Sequence, residues 1–475
     1  MTRNLGLVST LILVRLLEPT DFGLIALATA FTSTVDALSV LGVQDALMRE
    51  QHPNRDMYDS AFGIGILRGL GTAAIIVACA WPVALFFNEP RLAVVLLALA
   101  AGTLLSAFEN IGTVDFRRQM TFQKEFHLQV FGRVVGVVVT IVLAWIWQNY
   151  WALVIGQLAS RFVRLGQSYV MSAYRPRFAL HAWRSLIGFS LWTWAVTMVL
   201  QVRNRADSFI IGRAMTTANL AAFTVGQEIG SLPVTEMIEP LHRTLFSAFV
   251  LLSHDAKNPR ETYLNVIETG FLLVLPVGVG ISLIADPLVH LMLGERWLST
   301  IPVVELLAVA STISIFGTVS DAVNAGSGNL RVNFHLYAIS AAIRVPLLLI
   351  LVASHGLWGA AMALTLSAIV DQALFLAVTM RQMQIGLGQL AIRLWRPALA
   401  CGAMIAGLWS AGMAWTPTQV VATMAMGADM LVRAGVGALA YGAALTLLWF
   451  MAGRPAGAER YLLDMAGTIL RRARV

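Results

Sequence analysis

Arg203-Asn204-Arg205-Ala206-Asp207-Ser208-Phe209-Ile210-Ile211-Gly212-Arg213 runs on into Ala214-Met215-Thr216-Thr217-Ala218-Asn219-Leu220-Ala221-Ala222-Phe223, near the middle of the 475-residue chain. Its pattern repeats that of an earlier stretch, Arg15-Leu16-Leu17-Glu18-Pro19-Thr20-Asp21-Phe22-Gly23. In both, an arginine closes an apolar run, a short polar or turn segment follows, and a small or apolar pair opens the next run. Ala80-Trp81-Pro82 and Ala285-Asp286-Pro287 sit late in apolar runs at nearly the same separation, about 200 residues. Two landmarks at one period point to duplicated halves, a construction common among transporters.

The residues around these landmarks are apolar to a degree that soluble domains do not reach. The chain is 58% hydrophobic and 12% charged, roughly half the charge of an ordinary globular domain. Its mean hydropathy is +0.74. These values describe a polytopic membrane protein. In lipid each backbone group must be paired within its own segment or in a closed barrel. Apolar runs of about 20 residues select helices over barrel strands.

Several function classes drop out. The net charge of +7 comes from bases scattered over short loops, without the aromatic-interleaved patch of a nucleic-acid surface. Cys79 and Cys401 both lie inside apolar runs and imply neither a disulfide framework nor a metal site. The eight histidines are dispersed, with no paired-ligand spacing. No P-loop, G-x-S-x-G or dinucleotide fingerprint is present, so no enzymatic activity and no cofactor are expected.

Fourteen helices are predicted. The first apolar run, Asn4 to Leu17, is short for a bilayer. Arg15 interrupts its end and no small-x-small site follows, so it reads as a clipped first helix rather than a signal peptide, with the true start expected upstream. The next five are expected at Gly23–Leu47, Ala61–Phe87, Leu92–Val114, Phe126–Trp147 and Trp151–Ala173. The remaining eight are expected at Leu186–Ile211, Ala218–Leu252, Tyr263–Leu293, Pro302–Ala325, Phe334–Ser354, Leu357–Met380, Pro397–Trp415 and Leu431–Ala452. Alternate loops carry the basic residues, from Arg49 and Arg55 through Arg117, Arg118 and Lys124 to the cluster ending at Arg474. That asymmetry predicts both termini in the cytoplasm. In the tail, Tyr461, Leu462, Met465 and Ile469 share one helical face ahead of Arg471, Arg472 and Arg474. The pattern fits a helix lying on the anionic inner leaflet as well as it fits a solvated tail.

Polar residues that persist inside apolar helices mark function. Four helices carry them at three-to-four spacing, on one face each. The second has Thr29, Thr32, Asp36 and Ser39, and the sixth Gln157, Arg161, Arg164 and Ser168. The seventh has Ser190, Thr193, Thr197, Gln201 and Asn204, and the eighth Thr224, Glu228, Ser231, Thr235 and Glu239. Interhelical hydrogen bonding accounts for the Ser and Thr members. The charged members instead call for a wet cavity. Arg68, Arg133, Arg161, Arg164, Arg203, Arg205 and Arg344 lie within predicted spans, and guanidinium grips phosphate bidentately. Embedded acids, Asp36, Glu109, Glu228, Glu268 and Asp371, either neutralise arginines or carry protons or cations, with Asp36 and Glu228 the candidates for gradient coupling. With Gln157, Gln201 and Asn204 these arginines are the candidate substrate-binding set.

The residues also carry a family resemblance. Arg15 to Gly23 resembles the R-L-L-x-P-x-D-F-G opening of the polysaccharide transporter family, oligosaccharide flippases of the multidrug/oligosaccharidyl-lipid/polysaccharide flippase superfamily. Arg118-Gln119-Met120-Thr121-Phe122, Trp151 to Leu158, Asp207 to Arg213 and Leu293-Gly294-Glu295-Arg296-Trp297 match in family order, so the resemblance covers most of residues 1–330. It implies two pseudo-symmetric six-helix lobes, residues 1–174 and 175–384, around a central cavity, then two trailing helices in 385–454 and a cytoplasmic tail in 455–475. It further implies a monomer of the bacterial inner membrane that turns over a polyprenyl-diphosphate-linked oligosaccharide by alternating access. Exopolysaccharide, capsule or O-antigen assembly would be the purpose, with glycosyltransferases and a polymerase as partners. Two other readings stand beside it: an exporter of small amphiphiles on the same fold, whose cavity would be acidic and aromatic, and a non-transporting scaffold of a glycan-assembly complex.

Overall fold

A computed structural model describes residues 2–39, 42–50, 53–186, 191–238, 259–326, 330–415, 423–454 and 458–459. Every regular element among the described residues is helical. Among the described residues six helices are long and apolar enough to cross a bilayer alone, and two bent pairs qualify when each is joined. The chain is an all-α polytopic membrane protein, and its helix order is consistent with fourteen spans. It divides into two compact units, Met1–Ala221 and Ala222–Val475.

The first unit holds α1 (Thr2–Leu16), α2 (Pro19–Leu38), α3 (Val43–Arg49), α4 (Arg55–Phe86) and α5 (Arg91–Ala107). It continues with α6 (Val114–Arg118), α7 (Phe122–Trp147), α8 (Trp151–Met171), α9 (Trp183–Leu186) and α10 (Leu191–Ala214), and α11 (Thr217–Gly230) crosses its boundary. Pro19 opens α2 with Asp21 in its first turn, where the missing N–H costs nothing and the carboxylate meets the positive end of the helix dipole. Asn54 caps α4 by accepting the Met57 N–H at 2.9 Å. Helix α10 packs along α2 within the first compact unit.

Two expected spans in this unit are broken. The second, expected to reach Leu47, stops at Leu38, and α3 is a separate short helix. The fourth stops at Ala107, and the helical turns over Ile111–Arg118 bend away from α5 by 68°. Asn110 makes that bend affordable to the backbone. Its side chain accepts the Gly112 N–H at 2.9 Å and donates to the Tyr174 carbonyl at 2.7 Å, while its own N–H reaches Ser168 Oγ at 3.0 Å. Helices α7 and α8 pack through small residues, as lipid-embedded helices do in the absence of a hydrophobic drive. A Cβ on Gly156 would land 1.7 Å from Thr140 Oγ1 and 2.9 Å from the Gly136 carbonyl.

In the second unit come α12 (Pro259–Leu283), α13 (Ala285–Met292), α14 (Ile301–Thr312), α15 (Ser314–Gly326), α16 (Leu330–Met383), α17 (Leu387–Ser410) and α18 (Thr423–Met451). The expected ninth span is divided into α12 and α13, and the tenth is bent by 44° between α14 and α15. The two spans expected on either side of residue 356 are joined in α16, where Gly356 at φ 59° turns the chain between them. Residues 239–258, which include Glu239 and the end of the expected eighth span, lie outside the described residues. So do Ser190 and the tail faces of Tyr461 to Arg474.

One end of α12 and α17 carries a buried ionic network. Glu268, 3% exposed, takes Arg393 at 3.1 Å and Arg396 at 3.5 Å, and Arg396 also meets Glu459 at 2.9 Å. Glu261 closes the array on Arg393 at 2.6 Å. Removing one partner from such a set strands a buried charge, which costs about 3–5 kcal/mol. Glu268→Ala should therefore lower the thermal midpoint of the purified protein sharply, measured by loss of monodisperse protein on heating in detergent. Glu261→Ala, whose side chain is 50% exposed, should barely move it.

Candidate functional site

Within the first unit, the polar stripe of α2 faces those of α5 and α8 across a cavity of ≈ 600 Å³. Thr29, Thr32, Ser33 and Asp36 come from α2, Arg68 from α4, Thr103 and Ser106 from α5, and Ser160, Arg161 and Arg164 from α8. Glu109, at the break after α5, completes the polar wall. A second hollow of ≈ 430 Å³ adjoins it along α7 and α8, sharing Gln129, Ser160, Arg161 and Arg164 and adding Arg133 and Gln157.

The charges are arranged unevenly. Arg68 is held by Asp36 Oδ1 and, through Nε, by Ser39 Oγ at 3.0 Å. Arg164 Nε meets Glu109 Oε2 at 3.1 Å, and Arg117 is held by Glu125. These pairs use up all three carboxylates of the larger cavity, Asp36, Glu109 and Glu125, against its four arginines. Arg161 is the one left over. It is the central residue of α8, about 15 Å from either helix end. Among the described residues its one hydrogen bond is Nη1 to Thr103 Oγ1 at 3.4 Å, and Asp36 and Glu109 act on it only at longer range. Arg133 likewise has no carboxylate within ion-pair distance among the described residues. Among the described residues Thr103 thus satisfies one of the five N–H donors of the Arg161 guanidinium.

Of the candidates read from sequence, Asp36, Arg68, Arg161 and Arg164 meet in the larger cavity, and Arg133 and Gln157 in the smaller one. The others line neither. Gln201 ties α10 to α2 through Nε2 to the Ser33 carbonyl at 3.0 Å. Arg203, Asn204 and Arg205 lie further along α10, with Arg205 Nε buried and without a hydrogen-bond partner. Glu228 and Arg344 belong to the second unit, on α11 and α16. Thr103, Ser106 and Ser160 went unnoticed in the sequence. The first two continue, with Glu109, the same three-residue spacing that revealed the other stripes, and Ser160 directly precedes Arg161.

Comparison with known proteins fits this picture. A family model described as "Polysaccharide biosynthesis protein" matches residues 12–302. The chain is 24% identical over 314 residues to the succinoglycan biosynthesis transport protein ExoT of Rhizobium meliloti (strain 1021). That match covers 66% of this chain and spans 64% of the length of ExoT. It is 19% identical over 351 residues to the lipopolysaccharide biosynthesis protein WzxC of Escherichia coli (strain K12), covering 73% of this chain and 71% of that one. Among solved structures, the inward closed conformation of the lipid II flippase MurJ superposes with a TM-score of 0.73 at 13% identity, over 95% of this chain and 98% of that one. An inward-facing multidrug resistance MATE family transporter of the MOP superfamily gives 0.63 at 15% identity, over 80% and 94%. At such identities the two structures speak for the fold alone. The family model spans more than half of the chain, and over the residues where the motifs from Arg15 to Trp297 lie: the chain belongs to the polysaccharide biosynthesis protein family.

Proposed function

We propose that the chain is a flippase that carries a polyprenyl-diphosphate-linked oligosaccharide across the bacterial inner membrane by alternating access, for assembly of an exopolysaccharide, capsule or O-antigen. The observation that carries this reading is Arg161, a mid-span guanidinium without a carboxylate partner, facing a polar cavity. The barrier to lipid flipping is the desolvation of the diphosphate and glycan in hydrocarbon. A cavity with surplus guanidinium and hydroxyl groups replaces that hydration, while the prenyl chain stays in lipid. The roles of ExoT in succinoglycan transport and of WzxC in lipopolysaccharide biosynthesis support the same cargo class. In this reading residues 1–174 and 175–384 are the two lobes that alternate, both termini are cytoplasmic, the chain works as a monomer, and Asp36 and Glu228 couple transport to a proton or cation gradient. Glycosyltransferases and a polymerase supply and consume the cargo on opposite sides. An amphiphile exporter would want an acidic, aromatic wall, whereas among the described lining residues four arginines outnumber three acids and Phe62 is the one aromatic.

Deleting the gene in its own host tests the proposal. The expected result is loss of surface polymer with accumulation of the lipid-linked precursor on the inner leaflet, both reversed by the intact chain. Unchanged polymer with heightened sensitivity to cationic amphiphiles would assign the chain to drug export instead.

A further inference from the structure

Between α8 and α9 the chain runs as a non-helical strap from Ala173 to Ala182. Its backbone is nevertheless pinned. The Arg177 N–H donates to Asp59 Oδ1 at 2.8 Å, the Ala182 N–H to Ser60 Oγ at 2.9 Å, and the Tyr174 carbonyl accepts from Asn110 at 2.7 Å. The Tyr174 hydroxyl donates to the same Asp59 oxygen at 2.7 Å. Burial, followed by that bond, pushes the Tyr174 hydroxyl well above its ordinary range, so it remains a donor at any physiological pH. Asp59, Ser60 and Asn110 are all buried. A strap held at four points by buried groups presents its outer side chains in fixed positions.

Those outer side chains are of two kinds. Arg175, Arg177, His181 and Arg184 are exposed, and so are Phe178 at 58% and Trp183 at 45%. No acid occurs between Ala173 and Arg184. Arg184 lies over the Trp183 ring, 5.4 Å from its centroid. Bare aromatic rings in water are costly, whereas at the membrane surface the rings reach the acyl boundary and the guanidinium groups stand among phosphates. The shared geometry of Arg184 and Trp183 holds one of each at that level.

We infer that this strap is a docking surface for anionic phospholipid headgroups of the inner leaflet. The proposal rests on the cytoplasmic placement of this loop and not on the identity of any cargo. Charge complementarity selects the occupant: three exposed arginines without a neighbouring acid in the strap favour anionic over zwitterionic headgroups, roughly fivefold for each arginine. The strap also adjoins the cavity wall, since Asn110 both lines the cavity and holds Tyr174. Bound headgroups therefore fix the depth of the cavity mouth relative to the bilayer surface.

A nitroxide at His181→Cys, with Cys79 and Cys401 replaced by alanine in the full-length protein, reads this directly. The protein is reconstituted into phosphatidylcholine alone and into equimolar phosphatidylcholine and phosphatidylglycerol. The expected result is a label at headgroup depth, judged by oxygen against nickel-chelate accessibility, that becomes deeper and less mobile with phosphatidylglycerol. Combining R177Q and R184Q, which leaves the Arg175 bonds to the Ser172 and Tyr174 carbonyls in place, should erase most of the response to phosphatidylglycerol while leaving the spectrum in phosphatidylcholine unchanged, which also shows that the variant is folded. A label fully open to water in both membranes would overturn the proposal. So would an identical label in the two membranes that is immobilised by soluble polyglutamate, which would reassign the surface to an acidic protein partner.

Discussion

Alanine at both Arg161 and Arg164 is expected to cut delivery of surface polysaccharide on the order of 100-fold, with lipid-linked precursor accumulating at unchanged protein abundance. Each charge-assisted hydrogen bond to an anion is worth about 1.5–3 kcal/mol, and the pair spans the wall shared by both hollows. The two residues are not equivalent. Arg164 neutralises Glu109 at 3.1 Å, so Arg164→Ala also strands a carboxylate. Arg161 answers to no carboxylate at that range, and Arg161→Ala alone should account for most of the loss without destabilising the fold. Arg161→Lys should recover only part of it, because ammonium lacks the bidentate fork. Polymer measured per cell, against precursor extracted from the membrane, checks all three.

Gly23→Leu should leave almost no folded protein. A Cβ at residue 23 would stand 1.7 Å from the Thr217 carbonyl oxygen and 2.5 Å from its carbon. The obstacle is backbone, so no rotamer relieves it. Gly23→Ala meets the same obstacle and should fail in the same way, at a cost above the 4–5 kcal/mol or so that marks exceptional substitutions. Gly71→Ala, where nothing lies within 4 Å, is the matched control. Membrane abundance and monodispersity of a fluorescent fusion separate the outcomes. This contact also gives the Arg15-to-Gly23 motif a physical meaning. Its proline and aspartate start α2, and its glycine lets the helix touch the chain that opens α11.

That glycine shows what was legible in the sequence and what was not. Helix α4 and the α7–α8 hairpin are plain from apolar length and loop charge, because each is a continuous run closed by turn residues. The breaks after Leu38 and Ala107 are not. No proline marks either, and a bilayer-length apolar window averages over the few polar residues there, Ser39 at the first and Glu109 and Asn110 at the second. The stripes were legible for the same reason the helices were: Thr29, Thr32 and Asp36, like Arg161 and Arg164, are spaced to share a face. Which arginine each acid neutralises was not. Asp36 and Arg68 are 32 residues apart, and Glu109 and Arg164 are 55 apart. The match depends on which helices become neighbours, and local spacing says nothing of that. Arg203 and Arg205 lie within a predicted span as Arg161 does, yet neither lines the two hollows.

In the proposed cycle the guanidinium of Arg161 takes the diphosphate of a lipid-linked cargo. Equilibrium binding of a polyprenyl diphosphate to the purified full-length chain in nanodiscs measures this most directly, with the matching polyprenol as the comparison. The expected result is saturable binding that weakens at least about tenfold in Arg161→Ala, the loss of a single charge-assisted bond, and far weaker binding of the polyprenol. Equal affinity of the wild-type and Arg161→Ala proteins, or polyprenol bound as tightly as its diphosphate, would contradict it.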